Sequence, residues 1–148
     1  MPVSPATDRS RDLLLAAATA AAKRAYATRS GVHVGAAVLS AAGHIYSGCN
    51  VENAAFPLGN CAEPAAISAA VVAEGPSLRI AEVAVWAESP LGRPFPISPC
   101  GGCRQRISEL ACDESILVHF AWPGDEIRSV TLSELLPFAF TMAPAVPS

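Results

Sequence analysis

The chain has 148 residues, 51% of them hydrophobic and 16% charged, with a mean hydropathy of +0.36, a composition that excludes disorder and suits one domain with a substantial core. A formal net charge of −3 argues against a surface built to neutralise phosphates, so a small molecule rather than nucleic acid is the expected partner. No apolar run reaches the roughly 20 residues needed to span a bilayer, and a chain this apolar does not need its five cysteines as disulfide staples.

The first apolar stretch, Leu13 to Ala22, follows Arg9 and Arg11 and contains Ala18-Thr19-Ala20, which superficially matches a secretory leader. Asp8 and Asp12 in the would-be positive region, and Lys23-Arg24 directly after, favour a surface helix instead, capped by Asp8 or Ser10 and running to about Ala27. A hairpin follows: Val32, Val34, Ala36 and Val38 alternate, Ala42-Gly43 turns the chain, and Ile45-Tyr46 begin the return strand. Asn53 to Asn60 reads as loop, and Cys61 to about Ala73 as a mainly buried helix stopped by Gly75-Pro76. A strand is predicted over Arg79 to Ala87, irregular chain over the proline-rich Ser89 to Pro99, a helix from about Gly101 to Ala111, and a strand around Ile116 to Phe120. Thr131 and Glu134 have capping-box spacing before a short last helix. This order predicts a three-layer α/β domain with a mixed sheet, one unit over residues 1–148, with its core at about 8–141 and a loose tail at 142–148.

Three thiols stand where helices are predicted to begin: Cys61 at one, Cys100 and Cys103 at another. Positive helix ends favour thiolate, and the C-x-x-C spacing lets two sulfurs reach one ion from a single turn. Three protein ligands leave one tetrahedral position for water, the mark of a catalytic rather than a structural zinc site. Glu63, two residues after Cys61, is close enough to exchange a proton with such a water without being a ligand. Taken alone, Cys100 and Cys103 also fit a redox pair or half of a structural knuckle; C-x-E followed by P-C-x-x-C is the more specific signal, a described zinc-deaminase signature in its three-cysteine form.

The chain resembles the small, homotetrameric, three-thiolate cytidine deaminases. The matching residues are Gly48-Cys49-Asn50-Val51-Glu52-Asn53-Ala54, Pro57-Leu58-Gly59-Asn60-Cys61-Ala62-Glu63 and Ser98-Pro99-Cys100-Gly101-Gly102-Cys103-Arg104-Gln105. Val34-Gly35-Ala36-Ala37 and Glu134-Leu135-Leu136-Pro137 with Phe140 agree further, so the likeness runs in order from about Tyr26 to Phe140. It implies an α-β-α domain with a mixed five-stranded sheet, zinc on Cys61, Cys100 and Cys103, and Glu63 as proton shuttle. Asn50 and Glu52 would bind the ribose, the backbone of Ala62 and Ser98 the pyrimidine edge, and Val32 and Phe56 would lie near the nucleoside. Phe140 would approach the base from a neighbouring subunit. The implied reaction is zinc-dependent hydrolytic deamination of cytidine, deoxycytidine or a modified pyrimidine nucleoside, in pyrimidine salvage, with no organic cofactor.

Two departures qualify this expectation. The pattern C-A-E-R ends here in Pro64, whereas in the resembled family that arginine donates hydrogen bonds to ligating sulfurs. Zinc with three thiolates is net anionic, so activation of water should shift to higher pH unless Arg104 and the two helix N-termini compensate. Arg29 and Val32 replace two aromatics expected beside the nucleoside, pointing to a wider or more polar pocket and to a substrate other than plain cytidine, with another aminated heterocycle or a non-catalytic zinc scaffold as alternatives. Cys49 and Cys112 read as small packing residues, and His33, His44 and His119 as ordinary structural histidines. Reduced thiolates and zinc belong to a cytoplasmic protein.

Overall fold

A computed structural model describes residues 2–143. Its elements in chain order are α1 (Asp8–Ala22), β1 (His33–Ser40), β2 (Ile45–Cys49), a 3-10 turn (Phe56–Leu58), α2 (Ala62–Glu74), β3 (Ile80–Glu88), α3 (Gly101–Leu110), β4 (Leu117–Trp122), β5 (Glu126–Thr131) and α4 (Leu132–Leu135). The expected loose tail lies mostly outside the described residues.

The five strands form one sheet in the order β2-β1-β3-β4-β5, antiparallel except for β3 against β4. Strand alternation divides the core in two. Ala36, Val38, Val83, Val85, Val118 and Phe120 face Ala62, Ala66, Ile67 and Ala70 of α2 and Ile107 of α3. Ala37, Leu39 and Ala84 face Leu14 and Ala18 of α1 on the opposite side, which gives the three layers.

Two glycines set how closely the helices approach. A Cβ on Gly35 would fall 1.8 Å from the Ala18 carbonyl oxygen of α1, and one on Gly48 would fall 2.4 Å from the Ala66 nitrogen of α2. The helices can therefore rest on the sheet only because these strand positions have no side chain.

Several sequence readings are corrected. The cap of α1 is Thr7, whose hydroxyl accepts from Ser10 N–H while the Ser10 hydroxyl accepts from Thr7 N–H, so Ser10 is the third helical residue of the box. The helix ends at Ala22 rather than Ala27, because Tyr26 exchanges backbone hydrogen bonds with Asn50 and Glu52. Strand β5 escaped the segment-by-segment reading, being a largely exposed edge strand with little apolar alternation. Cys49 is half-buried and Cys112 is exposed, so neither is a core residue. The box of Thr131 and Glu134 opens α4 as expected.

The histidines have distinct surroundings. His119 is buried against the α1 side of the sheet, with Nε2 2.6 Å from Glu82 Oε1 and Nδ1 2.7 Å from Ser129 Oγ. The other Glu82 oxygen accepts from Ala6 N–H at 2.8 Å, which ties the N-terminal segment to the sheet. His44 is exposed, 3.7 Å from Glu74, and His33 begins β1.

Candidate metal and active site

Helices α2 and α3 both begin at the end of the sheet where β3 terminates and β1 starts, and a cysteine stands at the N-cap of each. Cys61 (φ −73°, ψ 164°) and Cys100 (φ −67°, ψ 165°) adopt the same extended cap conformation. Thr7 and Thr131 cap α1 and α4 with their hydroxyls, whereas neither cysteine makes a side-chain cap bond, so both sulfurs are free for another partner. Cys103, one turn into α3, is buried.

The three Sγ atoms lie within 4.8 Å of one another. Tetrahedral zinc with Zn–S bonds of about 2.3 Å needs sulfurs about 3.8 Å apart, so a small contraction of a cluster already gathered meets the requirement. All the cysteines are free thiols. Three soft donors on two helix N-termini therefore fit zinc, with one coordination position left over. Cys112 is not part of the group, so it does not close the site as a fourth ligand.

The electrostatics follow from this crowding. The Cys61 thiol is drawn down to about 6, first by the hydrogen bond from Cys103 and then, against burial and the Glu63 charge, by Cys100 and Arg106. Cys103 is pushed up for the converse reason, since its proton is held by Cys61, and burial and Glu63 add to the effect. Glu63, the second residue of α2, is buried, and that burial raises its carboxyl above the ordinary carboxylate range. A carboxyl so tuned exchanges a proton more readily near neutral pH.

A cavity of about 320 Å³ opens beside the cluster. Asn50, Glu52, Phe56, Cys61, Ala62, Glu63, Ser98 and Cys100 line it, which brings together eight of the residues singled out in the sequence. Cys103 stays beneath the surface, and Val32 and Phe140 are not on the wall. The left-handed Gly31 (φ 72°) turns the chain before β1 begins, and Val34 lines the cavity. Phe140 is 69% exposed, and its carbonyl accepts from Gln105 Nε2 at 3.0 Å. Arg29, whose direction the sequence left open, lines the cavity. Asn60 and Ile97 also line it and were missed; the motif immediately before Cys61 was the available signal for Asn60.

The polar wall is held from behind. Asn50 Oδ1 accepts from Val34 N–H at 2.8 Å and its Nδ2 donates to the Val32 carbonyl at 3.0 Å, which fixes the amide. Glu52 Oε1 accepts from the N–H groups of Arg29 and Ser30 at 2.8 and 3.0 Å. The Ser30 hydroxyl first, and then these two backbone donors, hold its carboxyl below the ordinary value. Arg104 does not turn to the thiols: it donates to the Pro99 and Leu135 carbonyls at 2.7 and 2.8 Å and to Ser98 Oγ at 3.1 Å, anchoring the segment that precedes Cys100. Three of the five guanidinium N–H donors of Arg104 are thus committed to this segment rather than to the thiols.

Residues 8–119 match the family model described as the cytidine and deoxycytidylate deaminase zinc-binding region. The chain is 40% identical over 131 residues to a cytidine deaminase of Halalkalibacterium halodurans, covering 88% of this chain and 94% of that one. It is 39% identical over 128 residues to one of Sporosarcina psychrophila, covering 86% and 89%. Among solved structures, the cytidine deaminase of Burkholderia pseudomallei superposes with a TM-score of 0.74 at 38% identity, over 91% of this chain and 100% of that chain. The enzyme from Mycobacterium tuberculosis gives 0.74 at 34%, over 93% and 100%.

Proposed function

The chain belongs to the cytidine and deoxycytidylate deaminase zinc-binding family, hydrolases acting on C–N bonds of cyclic amidines, and from that premise we propose that it deaminates a pyrimidine nucleoside hydrolytically, with Glu63 as its proton carrier. The observation that carries this reading is the buried carboxyl of Glu63 facing one cavity together with two of three gathered thiols and a fixed polar wall. Zinc held by Cys61, Cys100 and Cys103 would supply Lewis-acid activation of a water molecule.

The chain's own groups do the rest. The Glu63 carboxylate accepts a proton from the attacking water, passes it to the ring nitrogen next to the amino-bearing carbon, and assists departure of ammonia. The Ala62 and Ser98 backbones hold the pyrimidine edge. Glu52, with Oε1 already engaged by two backbone donors, keeps Oε2 for a sugar hydroxyl, and the fixed Asn50 amide presents its second N–H beside it. A ligand without those hydroxyls would leave both groups unpaired, which makes the wall selective for a sugar.

Arg29 on the wall, where an aromatic was expected, supports a finer reading: plain cytidine is not the preferred substrate, and a base-modified pyrimidine nucleoside or a related aminated heterocycle is. Assembly into a tetramer with shared sites is supported by the exposed Phe138, Phe140, Phe56 and Leu58, a set of large apolar side chains that a monomer leaves in water. A single domain over 1–148, a place in pyrimidine salvage in the cytoplasm, and no action on nucleic acid complete the proposal. No helix among the described residues is long and apolar enough to cross a membrane.

The test is ammonia release from cytidine, deoxycytidine, base-modified cytidines and non-nucleoside heterocycles, with Glu63→Ala as control and zinc content measured on both proteins. Release that disappears in the variant while zinc stays bound supports the reading. Silence across the panel with zinc bound would overturn it in favour of a non-catalytic scaffold. A kcat/KM for cytidine above that of every modified analogue would overturn the finer reading alone.

A further inference from the structure

The α3 side of the sheet holds a second cavity, away from the thiols. Phe120 and Trp122 alternate onto that face of β4, Arg128 of β5 is the cross-strand partner of Phe120, and Val130 follows two residues on, so all four side chains share one face. Leu135 of α4 and the segment carrying Ser98 close the sides around a volume of about 260 Å³. That lies just below the range of drug-sized ligand sites and fits a ligand about one ring in size. Phe120 and Trp122 meet edge to face, with centroids 5.8 Å apart, and Trp122 remains 41% exposed.

Every charged side chain on this wall is an arginine, Arg104 or Arg128. The half-buried Arg104 donates through Nε, Nη1 and Nη2 to the Pro99 carbonyl, the Leu135 carbonyl and Ser98 Oγ. These acceptors are all neutral, so they fix the guanidinium without neutralising it, and one N–H on each of Nη1 and Nη2 stays uncommitted. Among the described residues no carboxylate is within ion-pair distance of Arg104. Arg128 has Glu126 at 3.5 Å, but the two side chains are 53% and 62% exposed, a screened pair that an incoming anion can displace. A guanidinium held rigid, unneutralised and beside aromatic surface is suited to an anion that brings apolar area with it.

We propose that this cavity is a second ligand site, for a small anion carried on a flat apolar body, the chemistry of an arylcarboxylate. The acid group takes the uncommitted Nη1 and Nη2 donors of Arg104 with Arg128 beside it, and the ring rests on Phe120, Trp122 and Val130. Ser98 lines this cavity and the one beside the thiols, so an occupant here bears on the segment that runs into Cys100. That coupling, unlike the site itself, rests on the deaminase reading.

The test is calorimetric titration with benzoate, with benzamide as its neutral isostere and with inorganic phosphate as charge without a ring, on the parent, R128Q, E126Q and R29Q. Benzoate should bind about tenfold or more tightly than either control, because charge and ring are both recognised. R128Q should weaken benzoate several-fold, and E126Q, which releases Arg128, should tighten it. R29Q removes the cation of the other cavity and should bind benzoate as the parent does. In W86F the remaining tryptophan is Trp122, and its fluorescence should change saturably with the calorimetric Kd. No saturable binding by the parent, benzamide as tight as benzoate, or binding lost in R29Q and kept in R128Q would each overturn the proposal, as would a Trp122 signal that ignores bound benzoate. Saturating benzoate should also change KM for a nucleoside without competing with it; strict competition would place benzoate in the other cavity and overturn the second site. A parent that binds benzoate as described and deaminates nothing would sink the deaminase reading and leave this site standing.

Discussion

Replacing Gly48 by alanine joins the packing of the fold to the geometry of the site. The added Cβ would meet Ala66 N at 2.4 Å and Ala65 Cβ at 2.7 Å, where ordinary contact begins at 3.4 Å. Neither neighbour is the end of a flexible side chain, so relief has to come from α2 retreating about 1 Å from β2, a gap that forfeits a quarter to a half of the dispersion attraction across that contact. Overpacking of this kind costs about 2–3 kcal/mol, which in a chain of this size lowers the Tm by about 6–10 °C. Cys61 is the N-cap of the same helix and moves with it. Sulfurs that now lie within 4.8 Å would then have to close a wider gap, and zinc affinity should fall at least about tenfold. Thermal unfolding by circular dichroism in excess chelator isolates the packing cost, and chelator competition reads the metal site. A Gly48→Ala protein with the parent's Tm in chelator and the parent's zinc affinity would refute the argument that this glycine sets the seat of α2.

Other perturbations address other parts of the molecule. Burial alone would raise Glu82, but hydrogen bonds from His119, Ala6 N–H and Ser10 outweigh it and hold its carboxyl below the ordinary range. Stability from this group is therefore present above the unfolded-state pKa near about 4.3 and is lost as pH falls through the lower folded value. Glu82→Gln should be less stable than the parent at pH 7, and the gap should narrow in acid; a gap independent of pH in thermal melts would contradict this. Arg104→Ala removes three hydrogen bonds around the segment before Cys100 and should cost about 3 kcal/mol, a Tm lower by about 9 °C, with Arg104→Lys recovering only part. Glu52→Gln should raise KM for a nucleoside by about tenfold or more while leaving kcat within about threefold. A matching fall in kcat with KM unchanged would show that Glu52 acts on the reacting ring instead.

How much of this was legible depended on whether the deciding interaction was local in the sequence. The C-x-x-C pair, Glu63 two residues after Cys61 and the Thr131-x-x-Glu134 box are short-range patterns, and each appears where spacing placed it. The end of α1 was not legible, because Ala25 to Ala27 are as helix-compatible as the residues before them; Tyr26 leaves the helix for backbone bonds to Asn50 and Glu52, two dozen residues away. Strand β5 was hidden for a different reason. Its Glu126-Ile127-Arg128-Ser129 face is largely exposed, so burial leaves little imprint on residue type, and only Pro123-Gly124-Asp125 signals a turn. Val32 does not line the cavity, although its carbonyl accepts from the Asn50 amide that does.

The placement of the site follows from the one parallel pair in the sheet. Strands β3 and β4 run the same way, so the chain must cross over between them, and that crossover carries α3 with Cys100 at its start. The antiparallel pairing of β1 with β2 and β3 brings Cys49 and Glu88 to the same end of the sheet, so the loop leading to Cys61 begins beside the loop leading to Cys100. Two helix N-termini thus meet outside the carboxyl end of β3, the kind of crevice where α/β sheets bind ligands. At an ordinary helix start, the N-cap side chain satisfies a backbone donor, as Thr7 and Thr131 do here. Cysteine at both caps forgoes that bond on each helix, worth about 1 kcal/mol apiece. It leaves two sulfurs in the field of two helix ends, where the thiolate form is favoured and a third sulfur waits one turn on. The local cost and the metal site are the same feature, which is why Cys61→Ser and Cys100→Ser should melt at or above the parent in chelator and below it in excess zinc. A serine variant that loses stability in chelator would show that the thiols stabilise the helices by packing, not by waiting for an ion.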